Sequence, residues 1–135
     1  MTDLRPGGGL PERTFGPITM TDIVRYQGAS GDLNPMHHDD ELAQSSGYPA
    51  AFSVGMLAAG WLATYCTEYL GEESVRRFRT RFTKVVYRGA RLTASAEVVR
   101  YFEQDHERRV ELAVRMRDEG GAVVVDGTAE FAVAG

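Results

Sequence analysis

Residues 53–70 read SVGMLAAGWLATYCTEYL, and the predicted fold follows from their pattern. Apolar side chains occupy nearly every face of a helix drawn through it, and a helix that is apolar all round has to be buried. Pro49 precedes the stretch, Ser53 is its predicted N-cap, and Gly71 follows as a helix-ending residue. The sequence therefore predicts one long central helix that another element must enclose.

After this helix the hydrophobic period shortens to the two-residue alternation of strands. Apolar and polar residues alternate near residues 77–82, 92–98 and 109–116, and a last run covers residues 122–133 after a glycine pair. Four such strands joined by tight turns predict an antiparallel sheet, which has to curve around the helix to bury it. We therefore predict an α+β protein with a single hot-dog fold.

The residues before the central helix are less regular. Residues 1–12 contain three consecutive glycines and two prolines, which indicates a flexible leader, and a strand is predicted to begin at Arg13. Thr19 and Asp22 are spaced as a capping box, which predicts a short helix that ends at Gly28. The predicted boundaries are thus 1–12 for the leader and 13–135 for the hot-dog domain.

Charge is distributed unevenly along the 135 residues. The formal net charge of −4 argues against a general nucleic-acid binder, which normally has a basic excess. Residues 1–75 carry three basic and ten acidic side chains, whereas residues 76–135 carry twelve basic and nine acidic ones. Seven of those twelve lie within residues 76–91, which contain no acid. The basic excess is therefore concentrated on one predicted strand and the segment after it.

Targeting signals and reactive cysteines are not evident. No apolar run approaches the roughly 18–20 residues that a membrane span requires, and the N-terminus lacks the apolar core of a signal peptide. We therefore expect a cytoplasmic protein that binds no membrane. Cys66 is the one cysteine, and its apolar neighbours predict a buried, inert side chain.

Reactive side chains concentrate in residues 31–40, GDLNPMHHDD. Asp32 and His37 are separated by a turn and a proline, so one loop can direct a carboxylate and an imidazole into the same cavity. Such a pair suits acid–base work on water, because an ionised carboxylate accepts a proton and an imidazole gives or accepts one near neutral pH. Asn34 adds an amide that can hold either the loop or the water.

Other interpretations of this stretch stay open. Asp32 and Asn34 can be turn residues that bond their own backbone. The run 37–40, HHDD, can be a metal site, although its two aspartates fit equally well in the acidic first turn of a helix. His38 and His106 are predicted to be solvated surface residues.

A family motif is visible here. The run Ser30-Gly-Asp-Leu-Asn-Pro-Met-His37 resembles the hydratase-2 motif of the MaoC-like (R)-specific enoyl-CoA hydratases and the related (3R)-hydroxyacyl dehydratases, and the resemblance extends over about residues 15–133. It implies a hot-dog fold with Asp32 and His37 as the catalytic pair. It also implies reversible addition of water to a trans-2-enoyl thioester of coenzyme A or acyl carrier protein, giving a (3R)-3-hydroxyacyl product with no cofactor and no metal.

The resemblance further implies how the thioester carbonyl is bound. The family uses backbone N–H groups at the start of the central helix, which are here those of Val54, Gly55 and Met56. A glycine there lets the backbone approach the carbonyl closely. Many members have histidine where this chain has Val54, so the pocket near the carbonyl differs in shape and polarity. Ser53 is either a substrate contact or a plain helix cap.

Two interpretations of residues 76–91 stay open. Arg77, Arg79 and Arg81 alternate with apolar residues, which predicts a charged ladder on the solvent side of the sheet. Alternatively some of these arginines, with Lys84 or Arg88, meet the phosphates of coenzyme A or the acidic surface of an acyl carrier protein.

The predicted fold also bears on partners and on competing functions. A single hot-dog unit leaves a sheet edge exposed and covers its helix with one layer, which predicts a homodimer or a heterodimer with another hot-dog subunit. A hot-dog thioesterase is one alternative function, but Glu68 lies near the far end of the helix, away from the carbonyl-binding amides. A non-catalytic acyl-binding subunit is the other, and it has no need of Asp32 and His37.

Overall fold

The computed structural model describes residues 4–134, so Met1–Asp3, part of the predicted leader, and Gly135 lie outside the described residues. The described residues form five strands and three α-helices, in the order β1 (Gly9–Phe15), α1 (Met20–Ser30), α2 (Asp40–Ser45), α3 (Gly55–Leu70), β2 (Val75–Phe82), β3 (Leu92–Gln104), β4 (Glu107–Arg117) and β5 (Val123–Ala132). Short 3-10 turns occupy Pro35–His37 and Glu72–Ser74.

The strands form one antiparallel sheet in the order β1-β3-β4-β5-β2. β3, β4 and β5 follow one another as hairpins, as predicted. The prediction that β2 continues this run is wrong, because β2 pairs with β5 and residues 83–91 carry the chain across to β3. Alternation identifies a strand and its buried face, but it contains no information about the strand's neighbour.

β1 begins at Gly9, four residues before the predicted strand start at Arg13. A Cβ atom on Gly9 would lie 2.3 Å from a carbonyl oxygen of β3, so only glycine allows this close approach of the two backbones. The N–H of Gly7 already donates to the carbonyl of Val98 at 2.9 Å. The leader predicted for residues 1–12 is therefore too long, since its second half is hydrogen-bonded to the sheet.

α3 is enclosed by the sheet, as its all-round apolar surface predicts. The helix contacts all five strands, and its buried side chains are those of Leu57, Ala58, Ala59, Leu62, Tyr65, Cys66 and Leu70. Alternate residues of β4 supply the facing surface, and Leu112, Val114 and Met116 have no exposed area. A five-stranded sheet around one central helix confirms the predicted α+β hot-dog fold.

The start of α3 differs from the prediction. The helix begins at Gly55, Val54 is at the N-cap position, and no side chain caps it. Ser53 is not the cap, because it lies one residue earlier in an extended segment whose N–H donates to the carbonyl of Val86 at 2.7 Å. Pairing with a segment that is distant in sequence has therefore displaced the helix start.

The shorter helix α1 has the predicted beginning and a later end. Thr19 and Asp22 form a complete capping box. The helix passes through Gly28 and ends at Ser30, because Gly31 adopts a left-handed conformation with φ of 78°. This end places the predicted catalytic loop directly after α1.

The predicted burial of Cys66 is confirmed. Burial raises the pKa of its thiol to about 12, so the thiol stays protonated at neutral pH. Within residues 4–134, no helix has the length and apolar character needed to cross a membrane.

Candidate active site

Asp32 and His37 lie at opposite ends of the loop between α1 and α2, residues 31–39. Asn34 is the N-cap of the 3-10 turn that ends at His37, and its Oδ1 accepts a hydrogen bond from the N–H of Met36 at 3.0 Å. Its own N–H donates to Oδ1 of Asp32 at 3.3 Å. Of the two roles predicted for Asn34, these contacts favour holding the loop.

The geometry of the pair fixes which histidine nitrogen faces the carboxylate. Nδ1 of His37 lies 2.8 Å from the carbonyl oxygen of Phe52. Because a carbonyl only accepts hydrogen bonds, Nδ1 carries the proton, and Nε2 of the neutral ring is an acceptor. Nε2 lies 3.8 Å from Oδ2 of Asp32, which is too long for a direct hydrogen bond and leaves room for one oxygen atom bonded to both.

An apolar cavity of about 420 Å³ opens beside His37, whereas Asp32 does not line it. Its walls come from His37, the segment before α3 with the first turn of that helix, the end of β2 with the residues after it, and the start of β5. The Asp32 side chain is 48% exposed, whereas that of His37 is 10% exposed. Ala58, Val124 and Val125 form a buried apolar wall, and Lys84 adds one charge.

The uncapped start of α3 borders the same cavity. Val54 and Gly55 line it, and the N–H groups of Val54, Gly55 and Met56 donate to no acceptor within residues 4–134. These donors lie at the positive end of the helix dipole. Met56 is 51% exposed and does not line the cavity. Ser53, though not a cap, is buried in the cavity wall.

Two ion pairs hold residues 83–91 beside the cavity. Arg88 donates to both carboxylate oxygens of Asp40, at 2.7 and 2.9 Å. The backbone N–H of Ala51 also donates to Asp40, and this bond, with the Arg88 bond second, lowers the pKa of Asp40 below its usual value. Lys84 lies 2.8 Å from Asp118 and is the largest cause of the lowered pKa of that carboxyl group.

Residues 37–40 each bond a different partner, which argues against the interpretation of this run as a metal site. His38 is exposed and its Nδ1 bonds Gln27, Asp39 caps α2 by accepting from the N–H of Leu42, and Asp40 pairs with Arg88. No three His, Cys, Asp or Glu side chains in the described part of the chain are arranged to hold a metal ion. The acidic residues instead serve the start of α2, as the alternative interpretation predicts.

The exposed arginine ladder is confirmed. Arg77, Arg79 and Arg81 all face solvent on β2, and Arg81 pairs with Asp126 at 3.1 Å. His106 is also exposed, in the turn between β3 and β4. Glu68, the residue weighed for a thioesterase, pairs with Arg13 near the far end of α3.

Gln27 is the site residue that the sequence interpretation missed. It is only 3% exposed, and its Nε2 donates to the carbonyl oxygens of Asp32 and Asn34, both at 3.0 Å. A usable signal was present, because Gln27 lies one turn after Ile23 on the buried face of α1. A polar residue at a core position requires hydrogen-bond partners, and here the loop supplies them.

Comparisons with known proteins found a matching family model and similar proteins. The family model of the MaoC like domain matches residues 5–120. A probable enoyl-CoA hydratase 2 from Dictyostelium discoideum is 35% identical over 88 residues, which cover 62% of this chain and 30% of that protein. The chain spans at most 30% of the length of the first three curated relatives that it matches.

Solved structures show the same fold. The R-hydratase PhaJ1 from Pseudomonas aeruginosa in the unliganded form has a TM-score of 0.82 and 29% identity, with 95% of this chain and 81% of that chain covered. A chain of the ChsH1-ChsH2 complex from Mycobacterium tuberculosis has a TM-score of 0.82 and 24% identity, with coverage of 99% and 100%. At that lower identity the likeness concerns the fold alone.

Proposed function

The chain belongs to the family of MaoC-like domains, and from this premise we propose that it interconverts trans-2-enoyl and (3R)-3-hydroxyacyl thioesters by adding or removing water. The observation that carries the proposal is the Asp32–His37 pair, whose histidine lines the apolar cavity. Oδ2 of Asp32 and Nε2 of His37 are both acceptors, and at 3.8 Å apart they can bond the same water molecule. An apolar acyl chain would lie in the cavity, next to the bound water molecule.

In the proposed hydration, one water molecule bridges Asp32 and His37. Nε2 of His37 accepts a hydrogen bond from the water and orients it, while the carboxylate of Asp32 takes its other proton as the oxygen bonds to C3. Asp32 then returns that proton to C2 on the same face. The products contain all the atoms of water and thioester, the pair is unchanged, and dehydration is the reverse. No net oxidation occurs, so the step requires no redox cofactor.

The negative charge that develops on the thioester oxygen is proposed to lie at the start of α3. The unoccupied N–H groups of Val54, Gly55 and Met56 supply hydrogen bonds there, and the helix dipole adds partial positive charge. Such donors are in place before the reaction and cost no reorganisation during it. Ser53, in the same wall, is proposed as a neighbouring substrate contact.

The anionic part of the acyl carrier is proposed to lie along Lys84 and Arg88. A second cavity of about 420 Å³ is lined by both residues and shares Lys84, Val85, Val86 and Val124 with the first. A phosphate of coenzyme A or of a carrier protein carries the complementary charge. Lys84 and Arg88 are already paired with carboxylates, so the phosphate has to compete for them.

A dimer joined along β2 is proposed as the working unit. β2 is an edge strand, and Phe82 at its end both lines the cavity and is 48% exposed. A second hot-dog subunit on this edge would cover exposed apolar surface beside the site. Light scattering coupled to size exclusion, with and without products of neighbouring genes, distinguishes a homodimer from a heterodimer. A monomer in both samples contradicts the proposal.

The activity is tested by following crotonyl-CoA absorbance with the wild type, Asp32→Asn and His37→Ala. Asp32→Asn removes the base that takes the water proton, and His37→Ala removes the acceptor that orients the water, so each is expected to lower kcat by at least about 10²-fold. Glu103→Gln and His106→Asn change exposed residues at the far end of the β3–β4 hairpin and serve as matched controls with wild-type rates. Undiminished turnover in both Asp32 and His37 variants would refute the assignment.

Measurements of free thiol, of acyl-CoA binding and of activity with a second subunit separate the competing functions. Release of free thiol from acyl-CoA, unaffected by Asp32→Asn, identifies a thioesterase. A chain that is inactive alone, binds acyl-CoA and becomes active only with a second hot-dog subunit is the acyl-binding partner of a heteromeric enzyme. Hydration that depends on Asp32 and His37 of this chain supports the proposal.

A further inference from the structure

The side chain of Gln27 lies behind the loop 31–39 and lines neither of the cavities near the site. Its amide makes three hydrogen bonds, each 3.0 Å long: Nε2 donates to the carbonyl oxygens of Asp32 and Asn34, and Oε1 accepts from Nδ1 of His38. A primary amide has two N–H donors, and both are used here. The two carbonyl groups require the NH2 end of the amide, and the contact with His38 holds the amide oxygen.

The turn that carries Asp32 has no apolar anchor of its own. Leu33, the residue between the two bonded carbonyl groups, is 66% exposed, so its side chain does not hold the turn against the core. Gln27 is 3% exposed and belongs to a capped helix, which makes it a rigid support. Gln27 therefore connects the turn to the buried face of α1 through two hydrogen bonds.

The two members of the catalytic pair are supported from different sides. His37 is held through Nδ1 by the carbonyl of Phe52, which precedes α3. Asp32 is held through its own carbonyl by Gln27 of α1. The separation of 3.8 Å between Nε2 and Oδ2 therefore depends on the contacts that hold both groups.

We propose that Gln27, oriented by His38, is a positioning residue that sets the separation of Asp32 and His37. The inference rests on the proposed function, because the separation matters only if the two side chains share a water molecule. His38 then has a role different from that of its neighbour. His37 faces the reacting water, whereas His38 holds the amide that positions Asp32.

Gln27→Met tests the proposal, because methionine has a similar length and volume but donates no hydrogen bond. Misplacement of a catalytic group by about 1 Å costs on the order of 10²-fold, so we expect kcat for crotonyl-CoA to fall about 10- to 100-fold. KM should stay within about twofold, since Gln27 lines neither cavity near the site. Gln44→Met is the matched control, because exposed Gln44 donates one bond to the carbonyl of Pro49, and its kcat should match the wild type.

His38→Ala tests the second half of the proposal. It should lower kcat by a smaller factor, about threefold to tenfold, since the amide keeps its two donated bonds and loses only the bond that its oxygen accepts. The double variant Gln27→Met with His38→Ala should have the kcat of Gln27→Met alone. Additive losses would show that His38 acts elsewhere and would overturn its assigned role.

Hydrogen exchange gives a readout that does not depend on substrate. Amides of residues 31–38 should exchange faster in Gln27→Met and at the wild-type rate in Gln44→Met. A wild-type kcat in Gln27→Met, a rise in KM in place of the fall in kcat, or unchanged exchange overturns the proposal. Failure of the proposed function has a different signature, which is full activity of Asp32→Asn and His37→Ala. If the wild type leaves crotonyl-CoA unchanged, the exchange of residues 31–38 alone decides whether Gln27 positions the loop.

Discussion

The loop 31–39 and the start of α3 border the same site but use their backbone hydrogen bonds in opposite ways. In the loop, side chains form hydrogen bonds with the backbone. Gln27 donates to two carbonyl oxygens, and Asn34 and Asp39 each accept a bond from a backbone N–H. At the start of α3, no side chain caps the helix and three N–H groups stay unbonded within the described residues. A region that has to hold two side chains at a fixed distance has its backbone groups hydrogen-bonded within the protein. One that has to bind a substrate oxygen must leave donors open.

Adding a cap to the open start of α3 is expected to cause the largest loss of kcat/KM. Val54→Thr keeps the shape of the side chain and adds a hydroxyl at the N-cap, where it accepts from the N–H of Met56. Occupying one such donor should lower kcat/KM about 10²-fold, while the free energy of unfolding stays within about 1 kcal/mol of the wild type. Kinetics with crotonyl-CoA and urea unfolding measure the two quantities.

Val54→Ala is the control for that substitution, because it removes buried methyl groups and adds no acceptor. It should be less stable than Val54→Thr and yet more active. A Val54→Thr enzyme with wild-type kcat/KM would break the comparison, since the open donors would then have no part in the reaction.

Adding a methyl group at Gly55 tests the same region with a smaller expected effect. A Cβ atom there would lie 3.1–3.2 Å from the ring of Phe82, which has to move by a few tenths of an ångström within the cavity wall. Gly55→Ala should lower kcat/KM about tenfold. Gly60→Ala is the matched control on the same helix, because its Cβ meets nothing within 4 Å. It should keep full activity and gain about 0.5–1 kcal/mol of stability. Equal kinetics in the two variants would contradict the prediction.

Asp40→Asn has the smallest expected effect, and it acts on the loop side. The pKa of Asp40 is lowered in the folded state, so its contribution to stability is present above the unfolded pKa of about 3.9 and is lost as pH falls through the folded value. Asp40→Asn should therefore be less stable at pH 7 and lose less stability towards acid. Urea unfolding over a pH series measures both. Asp39→Asn is the control, since asparagine caps a helix as well as aspartate does. An equal loss of stability in both variants would contradict the role of the Arg88–Asp40 pair.

Some elements of the fold were predictable from the sequence, and others were not. Period and punctuation were enough to predict α3, the β3–β5 hairpins and the capping box of α1, because those signals lie within one element. The neighbour of β2 was not predictable, since β5 lies about fifty residues away and alternation does not encode pairing. Ser53 was misjudged for a similar reason, as its backbone bonds Val86 from a distant segment.

The candidate site divides in the same way. The motif contains Asp32 and His37, and their spacing alone indicated one loop, although His37 lines the cavity and Asp32 does not. The motif did not contain Gln27, whose part in the site depends on α1 packing against that loop. The arginine ladder was readable from alternation, but the ion pairs of Lys84 and Arg88 with Asp118 and Asp40 arise only on folding.

By itself, the sequence determined that one apolar helix must be enclosed by a curved sheet and that a carboxylate and an imidazole share one loop. Both conclusions follow from local patterns, because burial and turn formation act on neighbouring residues. The tertiary structure alone decided which ring nitrogen faces Asp32, that the helix start is uncapped, and that Gln27 supports the loop. These features depend on contacts between segments far apart in the chain, whose geometry no local pattern specifies.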